Sequence, residues 1–294
     1  MKTYPGPLVR AGLEAPDRIY NNLRDRTELK ADREFIEHLW SSYWPYADSE
    51  FYRDIGRDFV ARFWEMDLAC GLLALGFTLE EQRRRGPDVC VALGGRRIWL
   101  EAVAPRDGEG PNASPDLIHD GLARTFDGED RVILRFRQAI KEKFEKYGGY
   151  REAGIVEPID HYVIALNASR VSASIIETDN PAIVKSVYPL GTSDWQFSFE
   201  TGTVKVLPPR YRPSVQTAEK SEVATNVFLD AAYAGISGIL FSRADAFNRR
   251  DDWVFVHNLS AANRLERGWL PAGTEYWPEI DGISVIRHSG HPEE

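Results

Sequence analysis

Apolar side chains fall at helical spacing in three stretches of this chain and at strand spacing in several others. Residues 23–46 are charged, with Phe35, Leu39 and Trp40 forming the narrow apolar stripe of a surface helix. After Ala47-Asp48-Ser49 a second helix is predicted, with Gly76 as its C-terminal stop. Its second half, FVARFWEMDLACGLLALGF, is apolar nearly all round and belongs in a core. Two short apolar runs, Val89–Leu93 and 98–104, flank Gly94-Gly95 and predict a β-hairpin that Pro105 ends.

Residues 106–130 are rich in Gly, Pro, Asp and Asn and read as a long functional or mobile loop. Ile133, Phe136, Ile140, Phe144 and Tyr147 then keep the 3–4 spacing of an amphipathic helix over 131–147, with Gly148-Gly149 as its expected end. The unbroken apolar run HYVIALNA predicts a central strand at 161–168. A hairpin through 195–199 and 203–207, closed by Pro208-Pro209, a helix at 218–233 and strands at 236–242 and 253–258 follow. The last thirty or so residues are Gly- and Pro-rich and expected to wrap the surface.

The order α-β-β-α-β, then α-β-β, specifies an α/β fold with a mixed sheet. It divides the chain into an N-terminal arm and helix (1–55), an α/β core (56–260, with 169–215 as an insertion) and a C-terminal surface segment (261–294).

Composition narrows the class. The chain has 294 residues, 43% hydrophobic and 28% charged, enough for a full core. Thirty-six basic against forty-five acidic side chains leave a net charge of −9. That total argues against bulk electrostatic coating of nucleic acid, but leaves room for a local basic groove. Two cysteines, Cys70 and Cys90, build neither a disulfide framework nor a four-cysteine zinc site. With no apolar run long enough to span a bilayer and no signal-like start, the expected setting is cytoplasmic, away from membranes.

Three carboxylates stand where apolar residues would be expected. Glu65 lies on the buried helix among Ala61, Leu68, Ala69 and Leu72; Asp88 opens the first hairpin strand; Glu101 sits inside the second between Leu100 and Ala102. Any one of these alone reads as exposed or salt-bridged, with Arg62, Arg96 and Arg97 as available partners. Burying all three would be costly unless something offsets their charge, and a shared divalent cation does so. Oxygen-only ligands favour Mg²⁺ or Mn²⁺ over zinc.

The string E-x(22)-D-x(12)-E, with GPDVCV and IWLEAVAP around its last two acids, resembles the PD-(D/E)XK, or restriction-endonuclease-like, nuclease superfamily over about residues 57–167. Pro87-Asp88 matches the family's PD and Glu101 its second acid. The resemblance implies a restriction-endonuclease-like α-β-β-α-β core, Mg²⁺ or Mn²⁺ held by Asp88 and Glu101 with Glu65 as a direct or water-mediated ligand, and hydrolysis of phosphodiester bonds, with DNA the first expectation for the substrate and RNA the second.

The family's lysine is expected two residues after the second acid, where this chain has Val103. Some family members take that lysine from a neighbouring helix. Lys143 is the candidate here, at the edge of the apolar stripe; the same position also suits a snorkelling side chain. Lys141 and Lys146 read as solvated.

Arg83, Arg84, Arg85, Arg96, Arg97 and Arg135, with Arg137 as an addition, are candidate phosphate contacts, or a solvated charge run. His119-Asp120 is a candidate supporting pair in the long loop. An inactive nuclease-fold binding or assembly protein is the alternative reading, with a carbohydrate-active enzyme third. A homodimer is compatible with all of these.

Overall fold

The computed structural model describes residues 3–81, 86–117, 126–176, 180–249, 253–279 and 282–288. Its first part is helical: α1 (Arg18–Asp25), α2 (Lys30–Tyr43), α3 (Phe51–Asp54) and α4 (Phe59–Ala74). The helix expected from residue 49 onward is therefore two. Asp58 divides them, because its side chain accepts the Ala61 N–H and caps α4. Gly76, at φ +84, takes the left-handed position that ends α4.

A short strand, β1 (Thr78–Leu79), precedes the hairpin of β2 (Val89–Leu93) and β3 (Arg96–Val103). Its two-residue turn has Gly94 at φ +55 and Gly95 at φ +82, angles that side chains resist. The chain continues through α5 (Glu129–Glu152), β4 (His161–Asn167) and α6 (Ala182–Lys185). Two separate ribbons follow, β5 (Leu190–Phe197) with β6 (Val204–Tyr211), and β7 (Ser214–Gln216) with β8 (Glu222–Ala224). The final strands are β9 (Gly238–Ser242), β10 (Val254–His257), β11 (Gly273–Glu279) and β12 (Gly282–His288).

Among the described residues the main sheet has eight strands in the order β1-β2-β3-β4-β9-β10-β11-β12. It is mixed: β3–β4, β4–β9 and β10–β11 are parallel and the other pairs antiparallel. One face carries the α1–α4 layer, packed through Phe63, Leu68 and Leu72 onto Val91, Ile98 and Leu100. The other carries α5, packed through Val132, Phe136 and Ile140 onto Trp99, Ile164 and Phe241. Covered on both faces, β4 is buried at every position, which explains its unbroken apolar sequence. The expected α/β class, mixed sheet and α4-β2-β3-α5-β4 order are all present.

Four expectations are corrected. The helix at 131–147 does not stop at Gly148-Gly149 but runs to Glu152, because tertiary contacts of Tyr150 outweigh the roughly 1 kcal/mol that each helical glycine costs. The α-helix expected at 218–233 is replaced by the short strand β8 and two single 3-10 turns, Val227–Leu229 and Ala231–Tyr233. Lys220, at φ +64, turns the chain, and Val215 opposite Val223 packs the β7–β8 ribbon onto Ile133 and Leu134.

Pro208-Pro209 lies within β6, where prolines are tolerated because β6 pairs on one side only. The C-terminal segment does not merely wrap the surface: β11 and β12 extend the sheet, with buried Glu275 Oε2 lying 3.2 Å from His257 Nε2. No described helix is long and apolar enough to cross a membrane.

Candidate active site

The hairpin register fixes the first two groups. Val89 lies opposite Leu100, so the next pair outward is Asp88 and Glu101, cross-strand neighbours on the α5 face. Asp88 Oδ2 accepts the Ala102 N–H at 2.7 Å, and Oδ1 has no hydrogen bond among the described residues. Glu101 is almost wholly buried. Three donors from α5 compensate it: Lys143 Nζ (2.8 Å) and Lys146 Nζ (2.9 Å) both reach Oε1, and the Tyr150 hydroxyl reaches Oε2 (3.0 Å). Positions 143, 146 and 150 recur at i, i+3 and i+7, which places all three side chains on one helix face. Their depths differ, with 13% of the Lys143 side chain exposed against 56% of Lys146.

Val103 packs into the apolar cluster on this same face, so the ammonium beside Glu101 comes from the helix and not from the strand. The structure thus brings Asp88, Glu101 and Lys143 together. Lys146 is exposed as expected, yet its ammonium also reaches Glu101, and Tyr150 joins them, which the predicted helix end at Gly148 concealed. The i, i+3, i+7 repeat of Lys143, Lys146 and Tyr150 was the available signal.

Glu65 belongs to the α4 layer and has its own partners. Arg62 Nη1, one turn earlier, donates to Oε2 at 2.7 Å, and the Tyr43 hydroxyl of α2 donates to Oε1 at 2.5 Å. Burial, and then the charge of Asp88, push Glu65 up to about 8 against the pull of Arg62. Burial, and then the charge of Glu101, likewise push Asp88 up to about 6 against Lys143. Asp88 therefore feels negative charge from both sides. Burial pulls the Lys146 ammonium down, but Glu101 outweighs it and the net shift is upward.

The three acids do not converge on one point as expected. Among the described residues no group of three His, Cys, Asp or Glu side chains is arranged to hold a metal ion. Three cations, Arg62, Lys143 and Lys146, stand beside the three acids, with Arg62 shared by Asp48 and Asp54 as well. The donor chemistry still fits a hard divalent cation at the Asp88–Glu101 pair: both supply only oxygen, Asp88 Oδ1 takes no hydrogen bond from the described residues, and the exposed Lys146 has solvent to move into.

The arginines are dispersed. Arg96 and Arg97 sit at the hairpin tip, four to five strand residues from Glu101, about 13–17 Å away. Arg97 is held by Glu157 and lies 3.6 Å from Asp160, beside an open cleft of about 870 Å³ bordered by Glu80, Trp99 and Gly154. Arg96 is exposed on the same cleft. Arg135 Nε donates to the Arg106 carbonyl at 2.9 Å. Arg137 is buried and donates to the Ala224 carbonyl and the Tyr233 hydroxyl, so it is a packing residue and not a phosphate contact. Arg83, Arg84, Arg85, His119 and Asp120 lie outside the described residues. Comparison with protein-family models, with curated proteins and with solved structures finds no match to this chain.

Proposed function

We propose that this chain is a divalent-metal-dependent nuclease of the PD-(D/E)XK type, with DNA as the first candidate substrate and RNA as the second, and with the motif lysine supplied by α5. The observation that carries the reading is the placement of Asp88 opposite Glu101 with Lys143 Nζ 2.8 Å from the Glu101 carboxylate. An acid pair on adjacent strands with one buried-edge ammonium is the donor set that phosphodiester hydrolysis needs.

Asp88 and Glu101 would hold Mg²⁺ or Mn²⁺. When bound, such an ion polarises a phosphodiester oxygen and lowers the pKa of a coordinated water. Lys143 offers a fixed positive charge to the non-bridging oxygens of the reacting phosphate, and its short reach to Glu101 orients it before substrate arrives. Tyr150 and Lys146 hold the Glu101 carboxylate in one rotamer. Glu65, with its raised pKa, carries a proton near neutral pH and limits the repulsion on Asp88.

The three donors already gathered on Glu101 favour a second reading, an inactive scaffold in which lysines replace the metal for good. One experiment separates the two. Supercoiled plasmid, single-stranded DNA and RNA are incubated with the protein and Mg²⁺ or Mn²⁺, beside Asp88→Ala and Glu101→Gln. The nuclease reading expects metal-dependent cleavage that falls at least about a hundredfold in either variant. Cleavage equal to wild type in either variant, or no Mn²⁺ binding by calorimetry, removes it.

A further inference from the structure

The ribbon of β5 and β6 stands outside the main sheet and has one exposed apolar face, uncovered among the described residues. In its register Trp195 lies opposite Val206 and Phe197 opposite Val204, so these four side chains share a face. Phe199 at the tip extends that face, edge-on to Phe197 at 4.9 Å. Trp195 is 69% exposed and Phe199 is 92% exposed. The opposite face carries Gln196, Ser198 and Lys205. The ribbon is amphipathic, yet a two-stranded ribbon has no core to bury an apolar face and is marginal alone in water.

The occupant follows from charge and area. No charged residue interrupts the apolar face. The arginines at its root are already committed: Arg210 makes a two-pronged contact to Asp194 at 2.7 and 2.8 Å, and Arg212 reaches Asp130 at 2.5 Å and Glu129 at 3.4 Å. A polyanion would find little free positive charge here, whereas an identical uncharged face is a chemical match. With roughly 150–250 Å² available per aromatic side chain, three rings and two valines present on the order of 500 Å². Two copies would then bury about 1,000 Å², the lower bound for a specific interface.

We propose that the β5–β6 ribbon is a self-association surface, through which two copies of this chain pack face to face about a two-fold axis. Edge-to-edge pairing is disfavoured, because Pro208 and Pro209 remove two N–H donors from β6. The ribbon's root contacts the first turn of α5, about 20 Å along that helix from Lys143, so the surface is separate from the acid cluster. The proposal does not rest on nuclease activity.

Sedimentation of the full chain at high micromolar concentration tests it. Wild type is expected at the mass of two chains, and added salt should strengthen the association by screening the −9 charge of each copy. Phe199→Glu, and Trp195→Glu with it, should give the one-chain mass with unchanged far-ultraviolet circular dichroism. Lys205→Glu, on the opposite face, should remain a dimer. A one-chain mass for wild type, or a dimer undiminished in Phe199→Glu, overturns the proposal. So does a monomeric wild type whose affinity for single-stranded DNA falls in Trp195→Ala, since the ribbon would then be a stacking platform for bases.

Discussion

Glu65 and Glu101 are both buried carboxylates within electrostatic reach of Asp88, yet their charge is offset in different ways. Glu65 leans on a neighbour in its own helix, Arg62 at i−3, and on one phenol. Glu101 takes three donors from a helix more than forty residues away. Glu65 is consequently the acid whose proton affinity burial and Asp88 raise, and Glu101 the place where positive charge is gathered. A raised proton affinity suits a supporting group, and a concentration of cations suits the position where a phosphate would arrive.

The comparison breaks most visibly on deletion of each acid. Glu101→Ala removes the hydrogen-bonded counter-charge of Lys143, only 13% exposed, and leaves it Asp88 alone, so an expected loss of about 3 kcal/mol follows for a broken buried pair. Glu65→Ala should cost less, about 1 kcal/mol, because Arg62 keeps Asp48 at 3.5 Å and Asp54 at 3.7 Å. Urea unfolding of the two variants measures the difference. Equal losses would mean that the lysines relax freely into solvent.

The two lysines sharpen the contrast within the Glu101 cluster. If the ammonium acts on phosphate, Lys143→Met should reduce metal-dependent cleavage by about a hundredfold, the usual effect of removing one transition-state donor. Lys146→Met should cost less than about tenfold, because its half-exposed side chain is screened by water. Similar losses in both would assign the pair jointly, without a leading member.

Glu65 gives a pH test with a definite sign. Its pKa rises from 4.5 to about 8 on folding, so the folded chain binds this proton more tightly than the unfolded one. The resulting stabilisation is complete below about pH 4.5 and is lost as pH rises through about 8. Glu65→Gln should lack the dependence. In chelator-treated protein the stability of wild type minus variant is expected to fall by a few kcal/mol, with about 5 kcal/mol as the ceiling, across that window. A constant difference would mean that Glu65 stays ionised throughout.

What the sequence disclosed follows the same local-versus-distant division. Arg62 was visible as a partner of Glu65 because three residues separate them on one helix. The hairpin was visible at Gly94-Gly95, and the two-residue turn these dictate sets the register that puts Asp88 opposite Glu101. Lys143 was legible only as the edge of an apolar stripe. Tyr150 was hidden behind two glycines that propensity alone treats as a stop. Strands β11 and β12 were missed because their Gly and Pro content resembles a surface tail, and only pairing with β10 makes them strands. Convergence of three acids on one ion was expected from their order alone. Order could not reveal that α4 lies in a different layer from α5.

The smallest effect concerns the helix that delivers those donors. Gly148 and Gly149 lie inside α5 with ordinary helical backbone, and a Cβ built on either meets no atom within 4 Å. Replacement by alanine therefore introduces no clash, while it removes unfolded-state freedom that glycine alone retains. Each of Gly148→Ala and Gly149→Ala should raise stability by about 0.5–1 kcal/mol. The gain should be read with Tyr150→Phe alongside, which deletes one hydrogen bond to Glu101 and should cost about 1 kcal/mol. If the alanine variants gain stability and the phenylalanine variant loses it, the last turns of α5 are held by Glu101 at one end and weakened by glycine in the middle. Loss of stability in both alanine variants would instead mean that the chain bends at 148–149, and that Tyr150 reaches Glu101 from a loop.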